Sequence, residues 1–210
     1  MAFNINDFKS RGLTGGGVRP SLFEVSIAPN IGEDNQTLTK FTFTCEASEI
    51  PAATIGVVPV SYFGRQIKLA GDRDYGDWSV TIINDEDFSV RNMFEAWSNQ
   101  MNQFVGNRKL ISGNNYKSTD AIVSQFGKTG NVIRQYQFVG IFPTTISNIG
   151  LDWNTTNQIQ RFGVTFAYDY WVPYSSGGTL PIDTGQPGGT IKPATTTTTT
   201  SGGGSNSNNG

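Results

Sequence analysis

Carboxylates are the side chains dense enough in this sequence to do chemistry. Asp72, Asp74 and Asp77 cluster around Gly71 and Gly76, and Asp85, Glu86 and Asp87 follow Asn84. The first group invites a calcium site, but it does not keep the ligand spacing of a helix–loop–helix loop and no Glu closes it. These acids read instead as turn residues that pair with Arg73 or a neighbouring chain. The second group has the composition of a catalytic acid pair. A helix N-terminus attracts the same residues through its dipole and free N–H groups, so Asn84, Asp85 and Glu86 are expected to cap a helix over about 86–102. Histidine is absent, which removes Ser-His-Asp and Cys-His catalysis and the usual zinc sites. No catalytic residue, metal site or cofactor is expected.

Gly127-Lys128-Thr129 resembles the end of a phosphate-binding loop. The pattern needs a glycine where Ile122 stands and a helix afterwards, where a strand is expected. A hairpin turn is the better reading. Cys45 is the single cysteine and falls in the alternation Phe41-Thr42-Phe43-Thr44-Cys45, which places it on an apolar face as a buried, inert thiol. Trp78 and Trp97 lie on apolar stripes and are expected in the core, whereas Trp171 ends a strand beside Tyr170 and has the position to face a partner.

The elements that must position these groups follow from periodicity. Phe63–Val90 carries most of the information. Arg65 to Leu69 alternates as a strand, Gly71 to Gly76 reads as a turn, and Trp78, Val80 and Ile82 at spacing two form the next strand. Val90, Phe94, Trp97 and Met101 then put one apolar stripe along a helix. Further strands are expected over 22–27, 41–45, 121–126, 132–139 and 159–171. The pair 121–126 and 132–139 reads as a hairpin, and Phe142-Pro143 as a turn. Between them lie a polar loop over 29–39 and a long connection from Pro51 to Tyr62. Val57, Val58 and Val60 in that connection either cover one end of their own core or reach a neighbour, and their spacing does not decide between the two. Six or seven strands and one flanking helix make a mainly β (α+β) protein.

Its 210 residues are 36% hydrophobic with a net charge of −2, which fits one domain with a sizeable core. There is no bulk positive field to hold nucleic acid or an anionic membrane. Residues 1–19 are expected to be a flexible arm, 20–174 the domain, and 175–210, with its run Thr195 to Thr200, a low-complexity flexible tail. The N-terminus lacks the pattern of a signal peptide, and no apolar run nears the roughly 18 residues of a membrane helix. A soluble protein made in a reducing cytoplasm is the expectation, with no membrane insertion.

Several short motifs occur together and in order: Arg19-Pro20-Ser21-Leu22-Phe23, Phe41-Thr42-Phe43-Thr44-Cys45, Ile50-Pro51, Ala70-Gly71-Asp72-Arg73, Asp77-Trp78, Asn84-Asp85-Glu86, Leu151-Asp152-Trp153 and Asp169-Tyr170-Trp171. In this the chain resembles the tail tube proteins of T-even-type contractile-tailed bacteriophages, over about residues 18–172. The N-terminal arm and the Thr-rich tail lie outside the resemblance. It implies two packed antiparallel sheets in a sandwich or barrel-like fold, and a structural role in place of catalysis. Hexameric rings would stack into a hollow conduit inside a contractile sheath, with sheath, baseplate and tail terminator proteins as partners, in a virion whose parts are synthesised in the host bacterial cytoplasm. DNA would pass through the lumen without specific binding.

The resemblance also decides the fate of the long connection. In that family it reaches the adjacent ring, which makes Ile50, Pro51, Val57, Val58, Val60 and Tyr62 the inter-ring candidates. Asp72, Arg73 and Asp74 are the candidates for inter-subunit charge contacts, and edge strands pairing between subunits would close the ring. Two other classes compete: a monomeric carbohydrate-binding β-sandwich, such as a tail-associated adhesin, with Trp and Tyr as sugar platforms, and, more distantly, an enzyme working with carboxylates or lysine alone.

Overall fold

Alternating strands that bury one face need a second layer, and here two four-stranded antiparallel sheets supply it to each other. The computed structural model describes residues 5–13, 16–31, 34–111, 113, 115–118 and 121–174; the predicted tail, 175–210, lies outside them. One sheet has the order β1 (Phe23–Ile27), β6 (Ala121–Phe126), β7 (Val132–Val139), β10 (Tyr170–Tyr174). The other has the order β2 (Cys45–Ser48), β5 (Trp78–Ile83), β9 (Arg161–Ala167), β8 (Phe142–Ile146). A third sheet is the two-stranded hairpin of β3 (Ala53–Tyr62) and β4 (Arg65–Tyr75).

The core lies between the two larger sheets and under two helices. Val25, Val123 and Phe138 come from the first sheet; Trp78, Val80, Ile82, Phe162, Val164 and Phe166 come from the second. Trp78 stacks on Phe138 with ring centroids 4.4 Å apart and planes 11° from parallel, so one ring pair joins the sheets. Helix α3 (Ser89–Met101) lays Val90, Met93, Phe94 and Trp97 into the same core. Of the stripe predicted from spacing, Val90, Phe94 and Trp97 are buried, while Met101 at the helix end is half-buried and Met93 joins in its place. The β6–β7 hairpin has the predicted bounds, and Gly127 N–H closes its loop on the Asn131 carbonyl at 2.7 Å.

The structure corrects several sequence expectations. Phe41–Cys45 is not a strand. Helix α2 spans Asn35–Thr44, so the predicted 29–39 loop is also half helix, and there are two helices of ten residues or more where one was expected. Asp34 caps α2 by accepting from the Thr37 N–H at 2.8 Å, and Thr39, Thr42 and Thr44 return their hydroxyls to carbonyls four residues back. That satisfies side chains which otherwise compete with a helix. Of the two aromatics in the apparent alternation only Phe41 is buried, edge-on to Phe94; Phe43 points to solvent. Residues 159–171 are two strands in different sheets, β9 and β10, parted at Tyr168-Asp169. Phe142-Pro143 begins edge strand β8, where a proline costs no ladder bond. The chain reverses at Gly140 instead, whose φ of +71° suits glycine.

The acids before α3 are also placed differently. The helix begins at Ser89, after Phe88 in a left-handed conformation, so Asn84, Asp85 and Glu86 stand ahead of its first turn. The Asn84 side chain donates to Gln160, Asp85 accepts from the Glu86 N–H, and it is Asp87 that receives the Ser89 N–H at 3.0 Å. Lys40 of α2 pairs with both Asp85 and Asp87. Its ammonium first, then the Ser89 N–H, lowers the Asp87 carboxyl from an ordinary 3.8 to about 2. A lowered folded-state value means that the unfolded chain protonates first on acidification. The stabilisation is therefore complete above 3.8 and is lost as pH falls through about 2. The thermal midpoint is expected to drop across that window, and Asp87→Asn to make the drop shallower; an Asp87→Asn profile parallel to the wild type would refute the assignment.

Cys45 opens β2 half-buried, and burial pushes its thiol up to about 12. That keeps it protonated at neutral pH, although it is half-buried at the junction of α2 and β2 and not on the apolar face of a strand as expected. The N-terminal arm carries a helical turn, α1 (Ile5–Asp7) leading into a π-helical turn at Phe8–Gly12, with every one of these residues exposed.

Candidate assembly surface

The largest departure from the predicted elements is the β3–β4 hairpin. Residues 51–62 were expected as a connection and Gly71 to Gly76 as a turn. Instead the strands pair from Ala53↔Tyr75 to Tyr62↔Arg65, and the reversal is at Phe63-Gly64. Both turn residues have positive φ, +41° and +80°, as a two-residue hairpin turn of the primed type requires. Phe-Gly lacks the Asn-Gly or Asp-Gly signature of such a turn, which is why the sequence hides it. The glycines that resemble a turn make a bulge. Ile55 faces Arg73 and Val57 faces Ala70, so Gly56 stands opposite two residues, Gly71 and Asp72. A Cβ on Gly71 would come within 3.1 Å of the Gly56 carbonyl oxygen, so any larger residue would crowd the close approach of the two strands.

Every residue of β3 is exposed, and on β4 only Gly71 and Tyr75 are even half-buried. The register divides the residues between two faces, because side chains alternate along a strand. Val58, Val60 and Tyr62 share one face with their partners Leu69, Ile67 and Arg65. Val57, Pro59 and Ser61 share the other with Ala70, Lys68 and Gln66. The first face is an apolar strip whose members Val58, Val60, Tyr62, Ile67 and Leu69 are 49, 44, 65, 51 and 53% exposed. At the tip Phe63, 91% exposed, stands edge-on to Tyr62 at 4.5 Å. A contiguous exposed apolar strip of this kind is the character of an interaction surface.

Of the sequence candidates, Val58, Val60 and Tyr62 are brought together on this face, and Val57 is on the opposite one. Ile50 is exposed just before β3, whereas Pro51 is buried within its own subunit. Asp72, Arg73 and Asp74 lie on β4, exposed, and Asp74 accepts the Tyr75 N–H. Sequence reasoning missed Ile67 and Leu69 as members of the surface. Their alternation was visible, but without the hairpin nothing put them beside Val58 and Val60.

Outside the hairpin, both larger sheets have open edges. β1 and β10 flank one sheet, β2 and β8 the other. β2 and β8 each carry an irregular register beside the edge, while β1 pairs with β6 without interruption. A shallow surface concavity of about 510 Å³ lies among Leu151, Trp153, Gln158 and Arg161. Its carboxylate, Asp152, is occupied by the Asn154 N–H at 2.9 Å, and Trp153 beside it is 100% exposed. Trp78 and Trp97 are buried, as their stripes predict, and Trp171 packs edge-on against Tyr75 and Tyr136 within the subunit. Among the described residues no group of three or more Cys, Asp or Glu side chains could hold a metal ion, and no helix is long and apolar enough to cross a membrane.

A sequence model of a phage tail tube protein family matches residues 18–174. The tail tube protein gp19 of Enterobacteria phage T4 is 36% identical over 158 residues, covering 73% of this chain and 90% of that protein. A chain from the 6-fold symmetrised baseplate of the anti-feeding prophage shares the fold, with a TM-score of 0.58 at 10% identity over 76% of this chain and 96% of that one. So does a chain from the sheath–tube complex of the PVC extracellular contractile injection system in its extended state, at TM-score 0.53, 14% identity, and 80% and 97% coverage.

Proposed function

Because the chain belongs to the phage tail tube protein family, and so is a structural subunit of a phage virion's tail tube, we propose how its surfaces build the tube. Copies close into six-membered rings through the open edges of β1, β10, β2 and β8, and rings stack through the β3–β4 hairpin. The apolar strip of the hairpin carries this reading, since about 1.5–3 kcal/mol per fully buried aliphatic side chain is left ungained while it faces water. Val58, Val60, Tyr62, Ile67 and Leu69 dock on the adjacent ring, with Ile50 near the root of the arm and Val57 on the face turned away. Asp72, Arg73 and Asp74 make charge contacts with a neighbouring subunit.

The stacked tube sits inside a contractile sheath, capped by terminator and founded on baseplate proteins, and its role is structural rather than enzymatic. The slight net acidity suits a bore through which DNA slides without sticking. Residues 20–174 act as the tube domain, with 1–19 and 175–210 as appendages, in a protein made in the host cytoplasm.

Negative-stain microscopy of the purified chain tests the reading. Rings or hollow tubes are expected, with light scattering that reports particles far larger than one subunit. A chain that stays monomeric would overturn it in favour of a monomeric carbohydrate-binding module.

A further inference from the structure

Among the described residues the hairpin arm pairs with no other strand, so something at its base must fix the direction in which it projects. Tyr168, where the chain passes from β9 to β10, supplies that connection. Its Oη donates to the Gly76 carbonyl at 2.6 Å, one residue past the end of β4, while the Gly76 N–H donates to the Ala52 carbonyl at 3.1 Å, one residue before β3. Both strands of the arm are thereby tied at one residue. The last residue of β4, Tyr75, stands edge-on to Tyr168 and to Trp171, each at 6.0 Å. Behind them Tyr168 is edge-on to Phe138 at 5.1 Å and Trp171 to Tyr136 at 5.5 Å. Phe138 is the ring stacked on Trp78. The arm's root is thus joined through aromatic edges to the ring pair that holds the two sheets together.

We propose that Tyr168 is the positioning residue of the stacking arm: with Tyr75 and Trp171 it forms an aromatic anchor that holds the β3–β4 hairpin at the angle needed to reach the adjacent ring. The inference rests on the hairpin being the inter-ring arm. Two long strands on a loose root would sample many directions, and a ring must present all its arms at once to dock. A free arm lowers the effective concentration of the docking-competent ring without changing any contact in the interface. Tyr168 is suited to the task. Burial, reinforced by neighbouring acidic groups, pushes its phenol up to about 12, so the O–H remains a donor through neutral and mildly alkaline pH. Trp171 contributes as a ring alone: its Nε1 is buried without a hydrogen-bond partner among the described residues.

The test uses the full chain with Tyr168→Phe, Tyr75→Ala and Val60→Asp. Tyr168→Phe keeps the ring and removes only the bond to Gly76. It is expected to leave the subunit folded and ring formation intact by light scattering, while raising the concentration needed for pelletable tubes at least tenfold. A dye on Ser61→Cys, with Cys45→Ser to leave one thiol, should show a wider cone of motion by time-resolved anisotropy in the unstacked Tyr168→Phe ring. A merely structural residue would not move that readout. Tyr75→Ala is expected to act in the same direction, and carries the test should Tyr168→Phe prove unfolded. Val60→Asp alters the docking face and leaves the anchor whole. Tubes at the wild-type concentration from Tyr168→Phe and Tyr75→Ala, beside none from Val60→Asp, would overturn the anchor alone. Wild-type tubes from all three would overturn the stacking reading and the anchor with it.

Discussion

Val60→Asp combined with Ile67→Asp is expected to give a folded subunit that forms rings and no tubes. The two residues face each other across the hairpin on its apolar side and are each about half exposed, at 44 and 51%. Their substitution therefore does little to the isolated subunit, where surface changes usually stay within about 0.5 kcal/mol. Docking is another matter. It would desolvate two carboxylates without partners in place of two aliphatic side chains, a loss on the order of 4 kcal/mol per subunit or more. Every subunit of the ring carries the same change, so the effect on stacking is all or none. Ser61→Asp with Gln66→Asp places the same charges on the opposite face of the same arm and is expected to leave tubes intact. Sedimentation with electron microscopy of the pellets decides the matter. Tubes from the first pair, or none from the second, would show that the apolar strip is not the docking face.

Trp78→Ala is expected to cost about 4 kcal/mol of subunit stability, from the 3–5 kcal/mol typical of a buried Trp or Phe cut to Ala. Trp78 is fully buried, stacks on Phe138 across the sandwich, leans on Phe166 at 5.2 Å and donates its Nε1 to Ser48 Oγ at 3.1 Å. Removing it opens a cavity where the two sheets meet and leaves the surrounding rings without their central contact. Against a total of about 5–15 kcal/mol for a domain, that loss brings the subunit near or below the folding threshold. Trp153→Ala, at the fully exposed tryptophan, is the contrast, expected within about 0.5 kcal/mol of wild type. Urea unfolding followed by far-UV circular dichroism measures both. A small shift for Trp78→Ala would mean that the sheets are held together elsewhere.

How far the sequence reached is clearest from single elements. Periodicity of two, bounded by glycine, proline or asparagine, was enough for β1, β5 and the β6–β7 hairpin, and a stripe at helical spacing was enough for α3. Those segments turn one face to the core, so the pattern of burial is written into the pattern of residue types. Helix α2 was misread because Phe41, Phe43 and Cys45 alternate, although only Phe41 is buried; the better signal was Asp34 three residues ahead of Thr37. The ordered motifs from Arg19-Pro20 to Tyr170-Trp171 sufficed to identify the family, because such a match needs sequence alone and no geometry.

Tertiary structure decided the rest. The hairpin arm has no buried face in the subunit; alternation over Arg65 to Leu69 marked the start of β4, but nothing in the pattern marked β3 or the rest of β4 as strand. Its turn uses Phe-Gly, and its glycines serve a bulge, so local chemistry pointed to the wrong reversal. Ile67 and Leu69 join Val58 and Val60 only through cross-strand register, which depends on that turn. Tyr168 sits ninety-two positions from the glycine it holds. No spacing rule connects residues that far apart; only the packing of the two sheets brings the root of the arm onto it.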